Sequence, residues 1–294
     1  MKILITGGTG MFGGTLLREL AGQSAPCNIR ALVRNMEKAR SSGIDALRNV
    51  EMVVGDMLEP ATLDRALNDV DRIFLVSPMS PVMDTMEINV IQAAKRHHGI
   101  HVFKLYGAVK HEGRDLLSQL HDKSLEALKQ SGLPWTCISP NSVMETVFLN
   151  PSSIAGIKDE HALYGCTGRH RVGFVALRDV VTAAARIVTT DDHAYKDYLL
   201  TGPEALSLFD AAGCFSRALG KEITYHDYPE EEFTKLMIGA TGMPEEQLEM
   251  IMLCHLKAWN RDGADLVTAT FEGLTGKKPT GLESWIQAHK RAFM

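Results

Sequence analysis

The chain has 294 residues, of which 45% are hydrophobic and 23% are charged, and its formal net charge is -5. This balance is typical of a globular protein and excludes the strongly basic footprint of a nucleic-acid-binding protein. No stretch approaches the roughly 18 apolar residues of a membrane span. We expect no secretory leader, because the first apolar run begins at residue 2. The five cysteines form no C-x-x-C pair, which is typical of reduced thiols. We therefore expect a cytoplasmic protein that binds neither nucleic acid nor membrane.

The first fourteen residues, MKILITGGTGMFGG, predict a strand, a glycine-rich turn and the start of a helix. The glycines have the spacing G-x-x-G-x-x-G. Gly7 permits a tight turn, Gly10 lets backbone N–H groups approach a pyrophosphate, and Gly13 lets the helix pack on the strand. The motif predicts a dinucleotide site, although a tight turn without a ligand is the alternative for the glycines alone.

The next 130 or so residues alternate between apolar strands and amphipathic helices. Strands are predicted at 28–34, 50–54, 72–76, 101–106 and 135–138, and helices at 60–67, 82–97 and 115–130. Strands that alternate with helices over short loops predict a parallel sheet with helices on both faces. Right-handed crossovers then give an α/β fold, a Rossmann-type doubly wound sheet that binds its ligand beyond the carboxyl ends of the strands.

The second half of the chain has a different pattern, in which helices dominate. A strand is predicted at 172–177 and another at 223–228, with helices at 178–188, 208–219, 230–239, 244–259 and 282–293. We therefore expect two domains. Residues 1–145 form a nucleotide-binding Rossmann domain, and residues 146–294 form a smaller, mostly helical substrate-binding lobe that is partly interleaved with the sheet.

The residue that ends the second strand indicates which nucleotide is bound. An acidic residue at this point takes the ribose 2′-hydroxyl of NAD, whereas an arginine accommodates the 2′-phosphate of NADP. Here Arg34 ends the strand, 24 residues after Gly10. The predicted cofactor is therefore NADP(H), and a solvated surface arginine is the alternative.

Several stretches together resemble the NmrA-like, atypical short-chain dehydrogenase/reductase group. They are TGGTGMFGG, the Arg34 ending, VVGDM at 53–57, SGLPWT at 131–136 followed by SPNSVME, and LTGPEALS at 200–207. That group includes quinone reductases, triphenylmethane-dye reductases, iminium reductases and redox-sensing regulators. One departure is visible, since the group usually has arginine where this chain has Ser139. The resemblance implies cofactor contacts at Thr6, Gly7, Thr9, Gly10, Met11, Phe12, Arg34, Asp56, Met57, Val76, Ser77, Pro78, Pro140 and Asn141.

The catalytic residues are harder to place. The wider superfamily carries a Tyr-x-x-x-Lys pair, and the resemblance puts the tyrosine position at Leu117 and the lysine position at His121. Leucine cannot donate a proton, but His121 can hydrogen-bond a ribose or act as an acid, with a free pKa near about 6.5. Tyr106, at the end of the fifth strand, is the second candidate, as a donor or a stacking wall. The literal match Tyr106 to Lys110 straddles a strand end and is interpreted as coincidence.

Three histidines, His97, His98 and His101, are close in sequence but lie across the end of a helix and the start of a strand. That is the opposite end of a parallel sheet from the cofactor, and no carboxylate joins them. We therefore expect no metal site.

The leading functional hypothesis is an NADPH-dependent reductase. Without the tyrosine it is expected to transfer hydride to electrophiles that need no simultaneous proton donation, such as a quinone, an iminium ion, a conjugated enone or a dye. The competing hypothesis is a non-catalytic NADP(H)-sensing regulatory protein, which would also lack the Tyr-Lys pair. The expected partner is a small-molecule substrate, and the chain is expected to be a monomer or a homodimer.

Overall fold

The computed structural model describes residues 1–23, 27–107, 115–260 and 264–294. The chain divides into two compact units, each built from several segments. Unit 1 comprises Met1–Tyr106, Gln119–Ser139 and Val181–Tyr198. Unit 2 comprises Gly107–Ser118, Pro140–Val180 and Leu199–Met294.

Eleven strands are assigned within the described residues. They are β1 Lys2–Ile5, β2 Asn28–Val33, β3 Val50–Val54, β4 Arg72–Leu75, β5 His101–Leu105, β6 Trp135–Pro140, β7 Ser142–Val143, β8 Ala162–Gly165, β9 Phe174–Val175, β10 Lys196–Leu200 and β11 Thr224–Asp227.

The α-helices of the same residues alternate with the strands in the first half and dominate the second. They are α1 Met11–Ala21, α2 Met36–Ser41, α3 Leu63–Leu67, α4 Met83–Ala94, α5 Leu116–Lys129, α6 Met144–Phe148, α7 Pro151–Ala155, α8 Leu177–Thr189, α9 Leu208–Leu219, α10 Glu230–Thr241, α11 Glu245–Leu248, α12 Cys254–Trp259, α13 Thr270–Thr275 and α14 Leu282–His289. None of these helices is long and apolar enough to cross a membrane.

Unit 1 is organised around a seven-stranded sheet with the order β10-β6-β5-β4-β1-β2-β3. The pairs β1–β2, β1–β4, β2–β3, β4–β5 and β5–β6 all run parallel. Chain order reverses between β1 and β4, which makes that point the topological switch where doubly wound folds bind ligands. The central strands are buried on both faces, with Ile3, Ile5 and Ile73 fully inaccessible to solvent. The predicted Rossmann-type fold class is confirmed.

Several elements were not predicted from the sequence, namely α2, α6, α7, α13, β7 and β8. Three further elements differ from the prediction. The strand β10 joins the edge of the sheet, although the mixed sequence KDYLL has no clear alternation. The strand predicted at 172–177 is reduced to β9, because the chain there approaches other backbone too closely for a regular ladder. A Cβ atom on Gly173 would lie 2.4 Å from the Leu266 carbonyl oxygen. The helix predicted at 244–259 is interrupted by a π-helical segment at Glu249–Leu253.

Unit 2 has its own core, in which aromatic side chains meet at short range. Phe148 contacts the rings of Phe174, Phe215 and Trp285, with ring centroids 5.3–6.0 Å apart. The Glu145 carboxylate accepts a bond from the Trp285 indole at 2.9 Å and, through its second oxygen, one from the backbone N–H of residue 177 at 2.8 Å. The two hydrogen bonds to Glu145 hold Trp285 in the buried aromatic cluster, so the core of this unit has a defined packing.

All five cysteines are buried and free of disulfide bonds. Burial raises the pKa of the Cys166 thiol to about 11 and that of Cys254 to about 12. A thiol with so high a pKa stays protonated at neutral pH, so these two side chains pack as small hydrophobic groups.

The helix α9 begins with a capping box, which gives a first testable prediction. The Ser207 hydroxyl accepts a bond from the Asp210 backbone N–H at 3.1 Å, and the Asp210 carboxylate accepts one from the Ser207 N–H at 2.9 Å. The change Ser207→Ala is expected to lower the free energy of unfolding by about 1 kcal/mol, measured by urea titration. The change Thr234→Ala at a half-buried position of α10 is the control, with an expected effect below about 0.5 kcal/mol.

The same capping box sets a pH dependence. Hydrogen bonds from Ser207 hold the pKa of Asp210 below its usual value of 3.8. The stability that Asp210 contributes is therefore fully present at neutral pH and is lost as the pH falls through the lowered folded-state pKa. An equal Ser207→Ala effect at neutral pH and below the folded pKa would contradict this account.

Candidate active site

The carboxyl ends of β1 and β4 are joined by the side chain of Thr6. Its hydroxyl donates to the Val76 carbonyl oxygen at 2.6 Å and accepts a bond from the Val76 N–H at 2.8 Å. Thr6 is fully buried. Its hydroxyl is therefore engaged within the protein, and it fixes the separation of the two strands at the switch point.

The glycine-rich turn after β1 has the geometry that its spacing predicts. Gly7 has φ +60°, in the left-handed region that favours glycine, and a Cβ there would lie 3.1 Å from the Val76 carbonyl oxygen. A Cβ on Gly13 would lie 2.5 Å from the Gly7 carbonyl oxygen, so only glycine lets α1 approach the turn this closely. The Gly10 N–H donates to the Gly7 carbonyl oxygen at 2.8 Å and closes the turn.

The amino terminus of α1 is open to an anion. Among the described residues no side chain caps it, and its first turn contains no acidic residue. The residues around its start, Thr9, Gly10 and Met11, are exposed. Exposed N–H groups and the positive end of a helix of 11 residues fit the pyrophosphate of a dinucleotide.

Arg34 is exposed and directly follows β2. The next residue, Asn35, caps α2 by accepting a bond from the Lys38 backbone N–H at 2.9 Å. The turn after the strand is therefore fixed while the Arg34 side chain faces solvent. A guanidinium here can form a charge-assisted pair with a 2′-phosphate.

The turn after β3 is also preorganised. The Asp56 carboxylate accepts a bond from the Leu58 N–H at 2.9 Å, and the Asp56 N–H donates to the Thr62 hydroxyl at 2.9 Å. The carbonyl oxygen of Met57 accepts a bond from the Asn89 amide on α4 at 2.9 Å. These bonds hold the two predicted adenine-edge residues in one conformation.

The segment after β4 contains the predicted contacts Val76, Ser77 and Pro78. Ser77 is partly exposed, and its hydroxyl donates to Glu87 Oε1 on α4 at 2.8 Å. Pro78 is exposed. The residues that follow β1, β2, β3 and β4 lie at the same edge of unit 1, because parallel strands end at one edge of a sheet.

The structure brings the two predicted catalytic candidates together. The rings of Tyr106 and His121 stack with centroids 4.7 Å apart, and both residues are buried. The Tyr106 hydroxyl donates to Asp122 Oδ1 at 2.8 Å. Leu117, which the resemblance places at the tyrosine position, is fully buried. Lys110, the end of the literal Y-x-x-x-K match, lies outside the described residues.

A buried charged cluster adjoins these rings, and it was not predicted from the sequence. Lys104 on β5 forms an ion pair with Glu87 on α4, and their side chains are 0% and 1% exposed. Lys104 Nζ lies 3.1 Å from Nδ1 of His121. The Ser124 hydroxyl donates to Glu87 Oε2 at 2.7 Å. The only sequence signal was a lysine within the otherwise apolar strand HVFKL and a glutamate within an apolar helix.

The two predicted contacts after β6, Pro140 and Asn141, belong to unit 2. The Asn141 amide nitrogen donates to the Ala264 carbonyl oxygen at 2.7 Å, and its backbone N–H donates to Leu200 at 2.9 Å. Asn141 is 4% exposed, and its Oδ1 has no hydrogen-bond partner among the described residues. A buried acceptor without a donor is costly, so this oxygen fits a donor supplied by a ligand, such as a carboxamide.

Two of the three histidines considered as metal ligands have other partners. His101 Nε2 lies 2.8 Å from the Thr136 hydroxyl. His97 Nε2 lies 3.5 Å from Asp64, so the expectation that no carboxylate joins these histidines was wrong for His97. Burial and the charge of Arg72 lower the pKa of His101 to about 4, so it is neutral at pH 7. Within the described residues, no group of three or more His, Cys, Asp or Glu side chains could hold a metal ion.

Known proteins resemble this chain over its whole length. An NAD(P)H azoreductase from Xenophilus azovorans is 29% identical over 292 residues, which cover 99% of each chain. The NADPH-dependent quinone oxidoreductase of Escherichia coli, solved in complex with NADPH, superposes with a TM-score of 0.86 at 24% identity and covers 98% of this chain and 99% of its own. The Citrobacter triphenylmethane reductase, solved with NADP(H), gives 0.85 at 24% identity with the same coverage.

The two solved structures confirm the fold. All three relatives are reductases that use NADPH, NADP(H) or NAD(P)H, which is the enzyme class and cofactor predicted for this chain from its sequence. The family model described as "NmrA-like family" matches residues 1–262. Because this match spans most of the 294 residues, the chain belongs to the NmrA-like family.

Proposed function

We propose that this protein is an NADPH-dependent reductase that transfers hydride to an electrophilic small molecule without a Tyr-Lys pair. The observation that carries the proposal is the glycine-rich turn at residues 7–13 together with the start of α1, which we call the glycine cradle. Its positive φ at Gly7, its close helix approach at Gly13 and its exposed, uncapped helix start form a site for a pyrophosphate. The exposed Arg34 after β2 supports NADPH over NADH.

In this proposal the residues of unit 1 bind and orient the nucleotide. The N–H groups at the start of α1 receive the pyrophosphate, Arg34 pairs with the 2′-phosphate, and the fixed turn at 56–57 borders the adenine. Thr6 acts indirectly, by holding β1 and β4 at a constant separation. The bound nicotinamide supplies the hydride, so the protein contributes orientation and electrostatics.

The absence of a tyrosine donor restricts the substrate class. Leu117 is apolar and fully buried, so it supplies no proton at the superfamily position. The Tyr106 hydroxyl donates its own hydrogen to Asp122. Substrates that accept hydride without simultaneous protonation therefore fit best, namely quinones, iminium ions, conjugated enones and cationic dyes. The names of the azoreductase and triphenylmethane reductase relatives add azo and triphenylmethane dyes to this class.

The proposed division of roles follows the predicted domains. Residues 1–145 bind the nucleotide, and the lobe at 146–294 recognises the substrate. The orphan Oδ1 of Asn141 supports a ligand-binding role for the segment after β6.

The decisive experiment is a turnover assay. Purified protein is mixed with NADPH and a panel containing a quinone, an azo dye, a triphenylmethane dye, an iminium ion and an enone, and NADPH oxidation is followed by absorbance. Consumption of NADPH with at least one of these substrates is expected. If none is reduced while NADP(H) changes the capture of a partner protein in a pull-down, the regulatory alternative replaces the enzyme. That alternative is favoured by Leu117 and His121, which the resemblance places where the superfamily carries its Tyr-Lys pair.

Arg34 provides the test of nucleotide choice. The change Arg34→Ala removes a charge-assisted contact worth about 1.5–3 kcal/mol and is expected to weaken NADPH binding by roughly tenfold to a hundredfold. NADH affinity should be nearly unchanged, because NADH has no 2′-phosphate. Calorimetric titration of both nucleotides measures the difference, with the exposed Arg48→Ala as the matched control. Equal losses for the two nucleotides would show that Arg34 does not discriminate between them.

A further inference from the structure

The buried cluster on β5, α4 and α5 has no role in the binding scheme above, yet it touches a predicted catalytic residue. Lys104 and Glu87 are fully buried and paired, and the Glu87 carboxylate is satisfied by two further donors, Ser77 and Ser124. Ion pairs removed from water are costly unless their hydrogen bonds are complete. Because the Glu87 carboxylate has these hydrogen bonds, the buried Lys104–Glu87 pair can be tolerated in the core and can act on the neighbouring His121.

The contact between Lys104 and His121 determines which ring nitrogen carries the hydrogen. A lysine ammonium has three donors and no acceptor. The ring nitrogen that it approaches, Nδ1 at 3.1 Å, must therefore accept, and cannot itself carry a hydrogen. The neutral imidazole then has its hydrogen on Nε2.

Charged side chains on the neighbouring described parts of α4 and α5 are paired with other groups. From α4, Glu87 faces the same ammonium, and Asp84 pairs with Lys123. On α5, Asp122 accepts the Tyr106 hydroxyl. The ring of His121 is also stacked on Tyr106, so its plane is fixed as well as its tautomer. An imidazolium at this position would place two positive charges about one hydrogen bond apart.

We propose that the buried Lys104–Glu87 pair is a positioning device that holds His121 as a neutral imidazole with its hydrogen on Nε2. In this form the ring acts through an Nε2–H donor and not as an imidazolium acid. This catalytic consequence rests on the proposed reductase function, whereas the tautomer is a property of the protein alone. Lys104 and Glu87 act through His121 and are positioning residues.

The test reads the tautomer directly in the protein without nucleotide. Protein labelled with ¹⁵N in histidine is studied by long-range ¹H–¹⁵N correlation, and the His121 signals are assigned as those missing from His121→Gln. We expect the Nε2–H tautomer at neutral pH. A ring protonated at Nδ1 would overturn the proposal.

Variants of Lys104 separate positioning from packing. In Lys104→Met the ring loses the donor at Nδ1, so the single tautomer is expected to give way to a mixture or to an imidazolium facing Glu87. Lys104→Gln retains an N–H donor and is expected to restore the Nε2–H form. Lys123→Met removes a lysine from the other α4–α5 pair and should leave the His121 signals unchanged. An unaltered His121 tautomer in folded Lys104→Met would contradict the proposal, and if that variant does not fold, the wild-type spectrum still decides.

Turnover provides a second, separate readout. Once a substrate is found, Lys104→Met is expected to lower kcat about tenfold, the size of one hydrogen bond, while the Kd for NADPH stays within about twofold. An unchanged kcat together with an altered tautomer would remove the catalytic consequence and keep the positioning role. If no substrate is reduced but the Nε2–H tautomer is found, the reductase function fails and the assignment of His121 stands.

Discussion

Replacing Gly10 with valine is expected to abolish dinucleotide binding while the fold persists. Gly10 is exposed at the amino terminus of α1, with φ −90° and ψ 175°, an extended conformation that valine adopts without strain. A Cβ there would lie 3.2 Å from the Gly7 carbonyl oxygen, which a shift of a few tenths of an ångström relieves. The branched side chain would then occupy the space in front of the N–H groups that receive the pyrophosphate. We expect NADPH affinity to fall by about a hundredfold or more, close to 3 kcal/mol.

The measurement is a calorimetric titration with NADPH, accompanied by circular dichroism and urea unfolding. Gly239→Val on the exposed face of α10 is the matched control, because a Cβ there meets no atom within 4 Å. Gly13→Ala separates the two glycine roles, since its Cβ would collide with the Gly7 carbonyl oxygen and should destabilise unit 1 itself. Unchanged NADPH affinity in folded Gly10→Val would remove the dinucleotide assignment.

The conformation of the glycine cradle could be predicted from the sequence because the residues that determine it are close together along the chain. The positive φ of Gly7, the turn closed by Gly10 and the close approach of Gly13 all arise within one strand–turn–helix unit. Spacing along the chain then determines geometry in space. The parallel sheet followed for a similar reason, since alternating strands and helices leave few topologies that obey right-handed crossovers.

The motif LTGPEALS shows a different case, in which residues were recognised before their physical role was known. A Cβ on Gly202 would lie 2.0 Å from the Phe174 carbonyl oxygen. Glycine is therefore required there because β9, 28 residues earlier, passes directly over it. The resemblance to a known family identifies Gly202 as part of a motif. The sequence alone does not show that the backbone of β9 lies against it.

The buried charges could not be predicted because their partners are distant in sequence. Lys104 and Glu87 are 17 residues apart, and Lys104 and His121 are another 17. A lone lysine in an apolar strand is compatible with an edge position or a bend, and only the packing of α4 and α5 on β5 shows that it is enclosed. His121 was identified from the resemblance, but the ammonium that fixes its tautomer was not.

The second large expected effect concerns the stability of this pair. Lys104→Met removes the cation and leaves the Glu87 carboxylate buried with only the hydroxyls of Ser77 and Ser124 as donors. Breaking a buried ion pair by removing one partner costs about 3–5 kcal/mol, because the remaining charge is uncompensated. We expect a loss of this size in the free energy of unfolding, measured by urea titration at pH 7.

The double variant Glu87→Leu/Lys104→Met tests whether charge or volume causes that loss. Two apolar side chains of similar size leave no buried charge, and such replacements are often neutral or stabilising by about 1–4 kcal/mol. Ser124 retains the carbonyl oxygens of Leu120 and His121 as acceptors at 3.2 and 3.1 Å, and Ser77 is partly exposed and can bond to water. The double variant is therefore expected to recover most of the stability that Lys104→Met loses. If it is instead as unstable as the single variant, the cost comes from the shape of the cavity and not from the charge left on Glu87. A further outcome is that the double variant recovers its stability without recovering the His121 tautomer. That result would show that the Lys104–Glu87 pair serves to position the His121 ring, because an apolar core at this place would be equally stable.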